Sequence, residues 1–440
     1  MTGADAPANS SLRLSSRWSF WAISVLLFVL FGSAGAPAPL YQVYQATWRF
    51  STTTLTVVFA VYVLTLLVTL LTVGSLSDQV GRRPVMCAAL VMAAVAAVLF
   101  LAADGVTWLI LARAVQGVAI GLTSGSLVAA MLDLRPRGNT APLVSGLAPT
   151  AGLAIGALLT SALVQYGPIP LRLIWWLLLG AFVLGLVLVL AMAEPGRRRP
   201  GAVASLRPRV RVPASSRAAF VVAAPCMIGL WALGGFYLSL GPSLTGELLH
   251  SRNLLWGGVS ICLLMGVGAI VSTASRNQLP QLLMIAGCSG LLLGVAVTVV
   301  AIATRASWLL FTGTAIAGSG FGPAFSGAYR TIIVSATEED RAELVAATYT
   351  MSYTALGVPA LAAGIAATHY GLRDTALVYA VGVALLAASA LAGLIVRRIH
   401  DSGRHATAVG RAVPVAPGPC TIPPCLPIDT GERIPQALSS

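Results

Sequence analysis

Arg113 makes the clearest chemical demand in this chain. It lies in Leu111-Ala112-Arg113-Ala114-Val115-Gln116-Gly117, inside an apolar run. A full charge there is costly, so the guanidinium should face a watery cavity or a partner. Because it stands near the outer end of the run, it can instead snorkel to the headgroups. The second charged group is the polar turn Gly74-Ser75-Leu76-Ser77-Asp78-Gln79-Val80-Gly81-Arg82-Arg83-Pro84, caught between two long apolar runs. Asp78 stands four residues before Arg82, a spacing at which the two pair in a helix or turn. Gly74 suits close approach of helices, and Gly81 a turn conformation closed to other residues. A plain solvated loop would also accommodate these residues.

Trp231 and Tyr237 in one run, with Tyr349 and Tyr353 one turn apart in another, are placed to line an aromatic pocket for a lipophilic solute. Aromatic residues within apolar runs also serve as simple packing. Gly117, Gly121 and Gly125 form a stripe at intervals of four, and a later run reads Gly318-Ser319-Gly320-Phe321-Gly322-Pro323. Glycine and proline interruptions at matching places in two halves point to a central site, and also allow close helix packing. No carboxylate falls in the middle of any run: Asp133, Glu247 and Glu343 stand near run ends, and His369 is interfacial. A proton relay usually needs a buried Asp, Glu or His, so coupling to protons is an open question here. Glu338, Glu339 and Asp340 precede a helix start, where negative charge is favourable, and could also reach Arg82 or Arg83.

The elements that position these residues are membrane spans. Hydrophobic residues make up 57% and charged residues 9% of the 440, whereas a soluble domain is about 25% charged. Mean hydropathy is +0.87. The net charge of +13 comes from 27 basic residues, all arginine, which cluster at the ends of apolar runs. That distribution orients a membrane protein and is no nucleic-acid footprint. Cys87, Cys226, Cys262 and Cys288 lie inside apolar runs as small hydrophobes. Cys420, Cys425, His400 and His405 match no zinc spacing, and neither a metal nor another cofactor is implied.

Twelve spans are expected: 18–40, 54–75, 85–103, 107–130, 142–164, 171–192, 219–242, 254–274, 281–303, 307–329, 343–367 and 374–396. The first reads as an uncleaved helix whose end, Ala36-Pro37-Ala38-Pro39-Leu40-Tyr41, is too proline-rich to stay helical. An even number puts both termini on one side. Placing them in the cytoplasm leaves 21 arginines inside and five outside (Arg49, Arg172, Arg252, Arg305 and Arg373), with Arg113 within a span. Trp48, Trp108, Trp256 and Trp308 then fall at outer ends as interfacial anchors. The domains read as a cytoplasmic segment 1–17, a six-helix bundle 18–192, a basic linker 193–218, a second bundle 219–397 and a disordered cytoplasmic tail 398–440. The halves echo each other: Trp108-Leu109-Ile110-Leu111 recurs as Trp308-Leu309-Leu310-Phe311, and Tyr166-Gly167 as Tyr370-Gly371.

The turn Gly-x-Leu-x-Asp-x-x-Gly-Arg-Arg resembles the loop signature between helices two and three of the major facilitator superfamily, twelve-helix secondary transporters. Gln79 departs from it, standing where a basic residue is common. Arg113-x-x-Gln116-Gly117-x-x-x-Gly121 resembles the fourth-helix signature, in which the arginine is tied to proton coupling or substrate binding. The antiporter signature of helix five is incomplete, since Ala157 follows Gly156 and Pro149 stands a turn early. The resemblance implies an all-α integral membrane fold, twelve transmembrane helices in two six-helix bundles. It assigns gating to Gly74, Asp78, Gly81, Arg82 and Arg83, with Asp78 clasping the start of helix eleven in one state only. Arg113, Gln116, Gly117, Gly121, Trp231, Tyr237, Gly320, Pro323, Tyr349 and Tyr353 are the candidate cavity or coupling residues.

The expected activity is secondary transport of a small organic solute across the plasma membrane, by a monomer and without a cofactor. Efflux of a lipophilic or cationic compound leads, with protons as a candidate coupling ion in antiport. Uptake of a sugar or other metabolite is the alternative. A membrane-embedded enzyme would want clustered His, Asp or Glu at one face, and a receptor a sizeable soluble domain; the sequence offers neither.

Overall fold

The computed structural model describes residues 14–74, 76–134, 140–195 and 210–410, with side chains except at 142 and 397–410. Ser75, Arg135, Arg137, Arg197–Arg199, most of the expected linker, the first thirteen residues, Cys420 and Cys425 lie outside the described residues. The first half comprises α1 (Ser16–Gly35), α2 (Pro37–Trp48), α3 (Thr52–Val73), the short α4 (Ser77–Val80), α5 (Arg82–Leu101), α6 (Val106–Asp133), α7 (Thr140–Tyr166) and α8 (Leu173–Leu190). The second comprises α9 (Arg217–Ser239), α10 (Gly241–Leu249), α11 (Leu255–Ala274), α12 (Pro280–Thr304), α13 (Ser307–Val334), α14 (Arg341–Tyr370) and α15 (Leu372–Gly410).

Eleven of these stretches, with α1 and α2 counted as one, are long and apolar enough to cross a membrane. The twelfth expected span is α13, which has the length but is not among them. Gly, Ser, Thr and Pro from Thr312 to Pro323 dilute its apolar character, because the helix is buried among its neighbours and meets little lipid. Two expectations about helix ends are corrected. The segment after Ala36 does not leave the helix: Ala36 keeps helical angles (φ −56°, ψ −40°) and α2 starts at Pro37. Prolines 37 and 39 occupy the first turn, where no intrahelical N–H is required. At the other end α15 runs on to Gly410, past the point where an irregular tail is expected at 398. From Leu394 to Ser402 no glycine or proline interrupts it.

The chain through Leu394 packs as one unit. Within the first half α3 and α5 flank α6, and α1 lies against α7; within the second, α12 and α11 flank α13, and α9 lies against α14. The halves meet along two seams, α3 with α14 and α7 with α11. Interiors mix large side chains such as Phe59, Trp175 and Phe182 with many alanines, and Leu64, Val68, Leu184 and Leu385 point outward and are more than half exposed. Apolar side chains on the outside suit a lipid solvent, and glycines such as Gly287 and Gly294 allow close backbone approach between helices inside.

We call the end bearing α4 the near end and the opposite one the far end. Among the described residues four hydrogen bonds join the halves at the far end. Thr53 Oγ1 meets Thr368 Oγ1 at 2.9 Å and the Gly364 carbonyl at 3.3 Å. Asn253 Nδ2 donates to Tyr166 Oη at 3.3 Å, and Leu254 N to Gln165 Oε1 at 3.0 Å. Beside them, Gly364 lies so close to Thr56 that a Cβ would overlap its hydroxyl, and Gly258 stands likewise against Ser161. Replacing Gly364 by Leu should therefore pry open the far end. A cysteine at Thr368 in that variant should react faster with an impermeant maleimide than in a Gly364 background, and equal rates would show that the seam does not depend on this contact.

Candidate functional site

Two clusters carry the polar chemistry. At the near end, Asp78 in α4 forms an ion pair with Arg82. Arg82 Nε also contacts Asp133 Oδ2, at 2.9 Å, and Arg82 Nη1 donates to Ser77 Oγ at 2.7 Å. Glu194 Oε1 accepts from the backbone N–H of Arg82 at 2.6 Å and of Arg83 at 3.3 Å, so a carboxylate caps α5 at the positive end of its dipole. Arg83 Nη2 donates to the Leu190 carbonyl. Gly81 has φ +113°, a conformation that L side chains resist, and it turns the chain into α5. Gly74 keeps helical angles and backs directly onto Gly125 of α6. The side chain of Arg82 is 14% exposed against 47% for Asp78, so the guanidinium is the fixed centre and Asp78 its wet edge.

Asp133 and Glu194 were missed as partners in the sequence reading. Both are acids placed where an apolar run meets polar chain, at the end of α6 and just after α8. Arg82 and Arg83 make all their described polar contacts within the first half. The expected pairing with Glu338, Glu339 or Asp340 is therefore not made here; two nearer carboxylates, Asp78 and Asp133, already neutralise Arg82.

The second cluster sits inside the bundle. Arg113 is 1% exposed and does not snorkel. Its Nε donates to Tyr41 Oη at 2.5 Å; its Nη1 donates to Gln116 Oε1 at 2.6 Å and to the Ala34 carbonyl at 3.2 Å. The guanidinium carbon lies 4.7 Å from the ring centre of Tyr62 and 5.3 Å from that of Tyr41. Gln116 Nε2 donates in turn to the Ser33 carbonyl at 2.8 Å. That carbonyl is free for a reason legible in the sequence: its helical partner four residues on is Pro37, which has no N–H. The break between α1 and α2 thus supplies an acceptor that Gln116 fills. Among the described residues no carboxylate faces Arg113; neutral dipoles and two aromatic faces hold the charge.

Across from it, in the second half, five rings form a closed chain of contacts. Trp231 meets Phe325 (5.8 Å between centres, 84° between planes) and Tyr353 (5.7 Å). Phe325 stacks on Tyr329 at 5.8 Å, Tyr329 reaches Tyr349 at 6.4 Å, and Tyr349 stacks on Tyr353 at 6.1 Å. The wall adjoins the arginine's half along the α3–α14 seam, where Gly357, one turn on from Tyr353, packs on Val63, the residue after Tyr62. Trp231, Tyr349 and Tyr353 were singled out from the sequence, whereas Phe325 and Tyr329 were missed. Their spacing of four on α13 was the available signal.

Tyr237 does not belong to the wall. Six residues beyond Trp231 on one helix, it points about 120° away, and its hydroxyl meets Thr314 Oγ1 at 2.7 Å. The glycines also resolve differently from a cavity lining. Gly117 packs on Tyr62 and Thr65, and Gly121 on Leu66 and Thr69, all of α3. Gly320 packs on Gly287, Gly290 and Leu291 of α12, and Pro323 is buried within α13. Each lets two helices approach.

Comparison with known proteins agrees with this architecture. The sequence model described as Major Facilitator Superfamily matches residues 23–360. The chain is a member of the major facilitator superfamily. As such it is a multi-pass membrane protein built for secondary transport, and the family speaks for transport rather than catalysis. No curated protein sequence matches it. Among solved structures, a bacterial homolog of the human lysosomal transporter Spinster, inward-facing and occupied, gives a TM-score of 0.67 at 13% identity, covering 86% of this chain and 96% of that one. The human organic anion transporter MFSD10 (TETRAN) gives 0.62 at 16% identity, covering 86% and 100%. A point mutant of the nucleoside transporter NupG gives 0.64 at 12% identity, covering 85% and 99%. At these identities the superfamily members share a fold.

Two outcomes test the near-end cluster. Glu194→Gln should lower stability in detergent by about 1 kcal/mol, the worth of an N-cap, read as a drop in melting temperature. Asp133→Asn should weaken Arg82 more than Asp78→Asn does, because Asp133 is the less exposed partner (34% against 47%). Equal melting shifts for the two would contradict this ranking.

Proposed function

We propose that this chain exports a small lipophilic organic solute by alternating access, with the solute held between Arg113 and the five-ring wall. The aromatic wall, placed opposite a buried arginine, carries this reading. A sugar would need several free amide or carboxylate partners, and Gln116 is already committed to Arg113 and Ser33. A cationic solute fits poorly, because the full charge described at the centre is itself positive. Lipophilic compounds enter cells through the bilayer unaided, so a carrier serves the cell by removing them.

The near end is proposed to be cytoplasmic, on the distribution of arginines, and the conformation is then inward-facing with its outer seam closed. Asp78 is proposed to act in the cycle by exchanging Arg82 for a contact available in the other state; its high exposure supports that mobility. The described core holds no carboxylate or histidine to relay protons, which favours transport that does not obligatorily consume a proton gradient.

Solute flux in proteoliposomes, with and without an imposed pH gradient, tests this reading. Asp78→Asn should depress turnover far more than solute binding, and equal loss of both would remove its role in the cycle. In intact cells, a cysteine replacing Arg83 should resist an impermeant maleimide while one replacing Arg172 reacts. The reverse pattern would invert the orientation.

A further inference from the structure

The centre of this protein is furnished with hydrogen-bond donors that have nothing to donate to. Arg113 spends its Nε and Nη1 hydrogens on Tyr41, Ala34 and Gln116, while Nη2 has no partner among the described residues. No described residue accepts from the hydroxyls of Tyr62 and Tyr353 either, and since none of these three donors is a fully buried unpartnered atom, each reaches open space. Trp231 Nε1 is buried and unpartnered, the one such side-chain atom among the described residues. A buried donor left without an acceptor, as Trp231 Nε1 is, is costly. Native proteins retain such groups chiefly where something else supplies the acceptor.

The donors lie in both halves. Arg113 and Tyr62 belong to α6 and α3, and Trp231 and Tyr353 to α9 and α14. The guanidinium lies over Tyr62 and Tyr353 meets Trp231, and the two pairs are brought together along the α3–α14 seam, where Gly357, one turn on from Tyr353, packs on Val63, the neighbour of Tyr62. No carboxylate stands in the described core to compete for Arg113 or to attract a cation.

From this we infer that the transported solute is an organic anion with a flat aromatic body. Its oxyanion takes Nη2 of Arg113 with the Tyr62 hydroxyl, its ring lies on Tyr353 and the wall, and a further acceptor or the π face meets the indole N–H of Trp231. A guanidinium suits carboxylate and sulfonate better than a point charge does, and aromatic faces suit a planar body. The inference rests on the transport reading above but narrows it: weak aromatic acids cross a bilayer in neutral form and accumulate inside as anions, which need a carrier to leave. Because the solute touches both halves, its binding favours the state in which they close around it.

Equilibrium binding to the purified full-length protein separates the classes without relying on flux. The probes are radiolabelled 2-naphthoate and 2-naphthalenesulfonate, neutral 2-naphthamide, and the cation benzyltrimethylammonium. We expect at least one of the anions to bind about tenfold or more tighter than the amide, the scale of a charge-assisted bond against a neutral one. Arg113→Gln should lower anion binding about tenfold or more and so abolish that preference, and Arg113→Lys should restore part of it. Trp231→Phe, which keeps an aromatic face and removes the donor, should weaken anion binding several-fold and amide binding less. Amide or cation binding as tightly as both anions, or no saturable binding by either anion, would overturn the inference. Either result leaves the transport reading to its own flux and labelling tests.

Discussion

A guanidinium buried without a carboxylate is the constraint around which the first half is arranged. Arg113 needs its charge compensated, and the chain does so with dipoles rather than a counter-ion: a phenol, an amide, a peptide carbonyl and two aromatic faces. An ion pair at this depth would be self-contained, because each partner would satisfy the other. Dipoles leave the charge partly expressed. A site of this kind holds a standing electrostatic potential that an incoming group can use without first breaking a salt bridge.

The rest of the packing keeps that potential in a movable frame. At the far end the halves are joined by hydroxyls and glycines along α3–α14 and α7–α11, contacts with little bulk to interlock. At the near end the charged groups tie α4, α5, α6 and the segment after α8 into one half. The charged groups thus stay within one half, while the two seams run along closely packed helices. Rocking about a central site, as proposed, would part those seams and leave the charged cluster intact.

The sequence made the spans and their order plain, because a bilayer tolerates few alternatives to helices of a given length. It also marked Arg113 and the Asp78 turn, since charge in an apolar context stands out. Partners were harder to read. Asp133 and Glu194 reach Arg82 and the start of α5 from distant parts of the chain, and nothing local to either acid announces that destination. Phe325 and Tyr329 sit in a helix so rich in glycine that packing masked their alignment. Tyr237 misled for a simpler cause: it shares a helix with Trp231 but not a face. The run after Ala36 looked too rich in proline to stay helical, yet prolines at a helix start preserve it, and here they free a carbonyl that the site uses.

That freed carbonyl has a mechanical consequence. Where Pro37 and Pro39 remove two rungs from the ladder, the joint between α1 and α2 is left as a soft spot in an otherwise stiff rod. Gln116 and Arg113 splint it, one gripping Ser33 and the other Ala34 and Tyr41 on either side of the joint. Anything that draws the guanidinium away from those atoms also takes the splint off. On the proposal above cargo takes Nη2 while the splint uses Nε and Nη1, so one side chain would serve both, and a bound anion would keep the joint stiff.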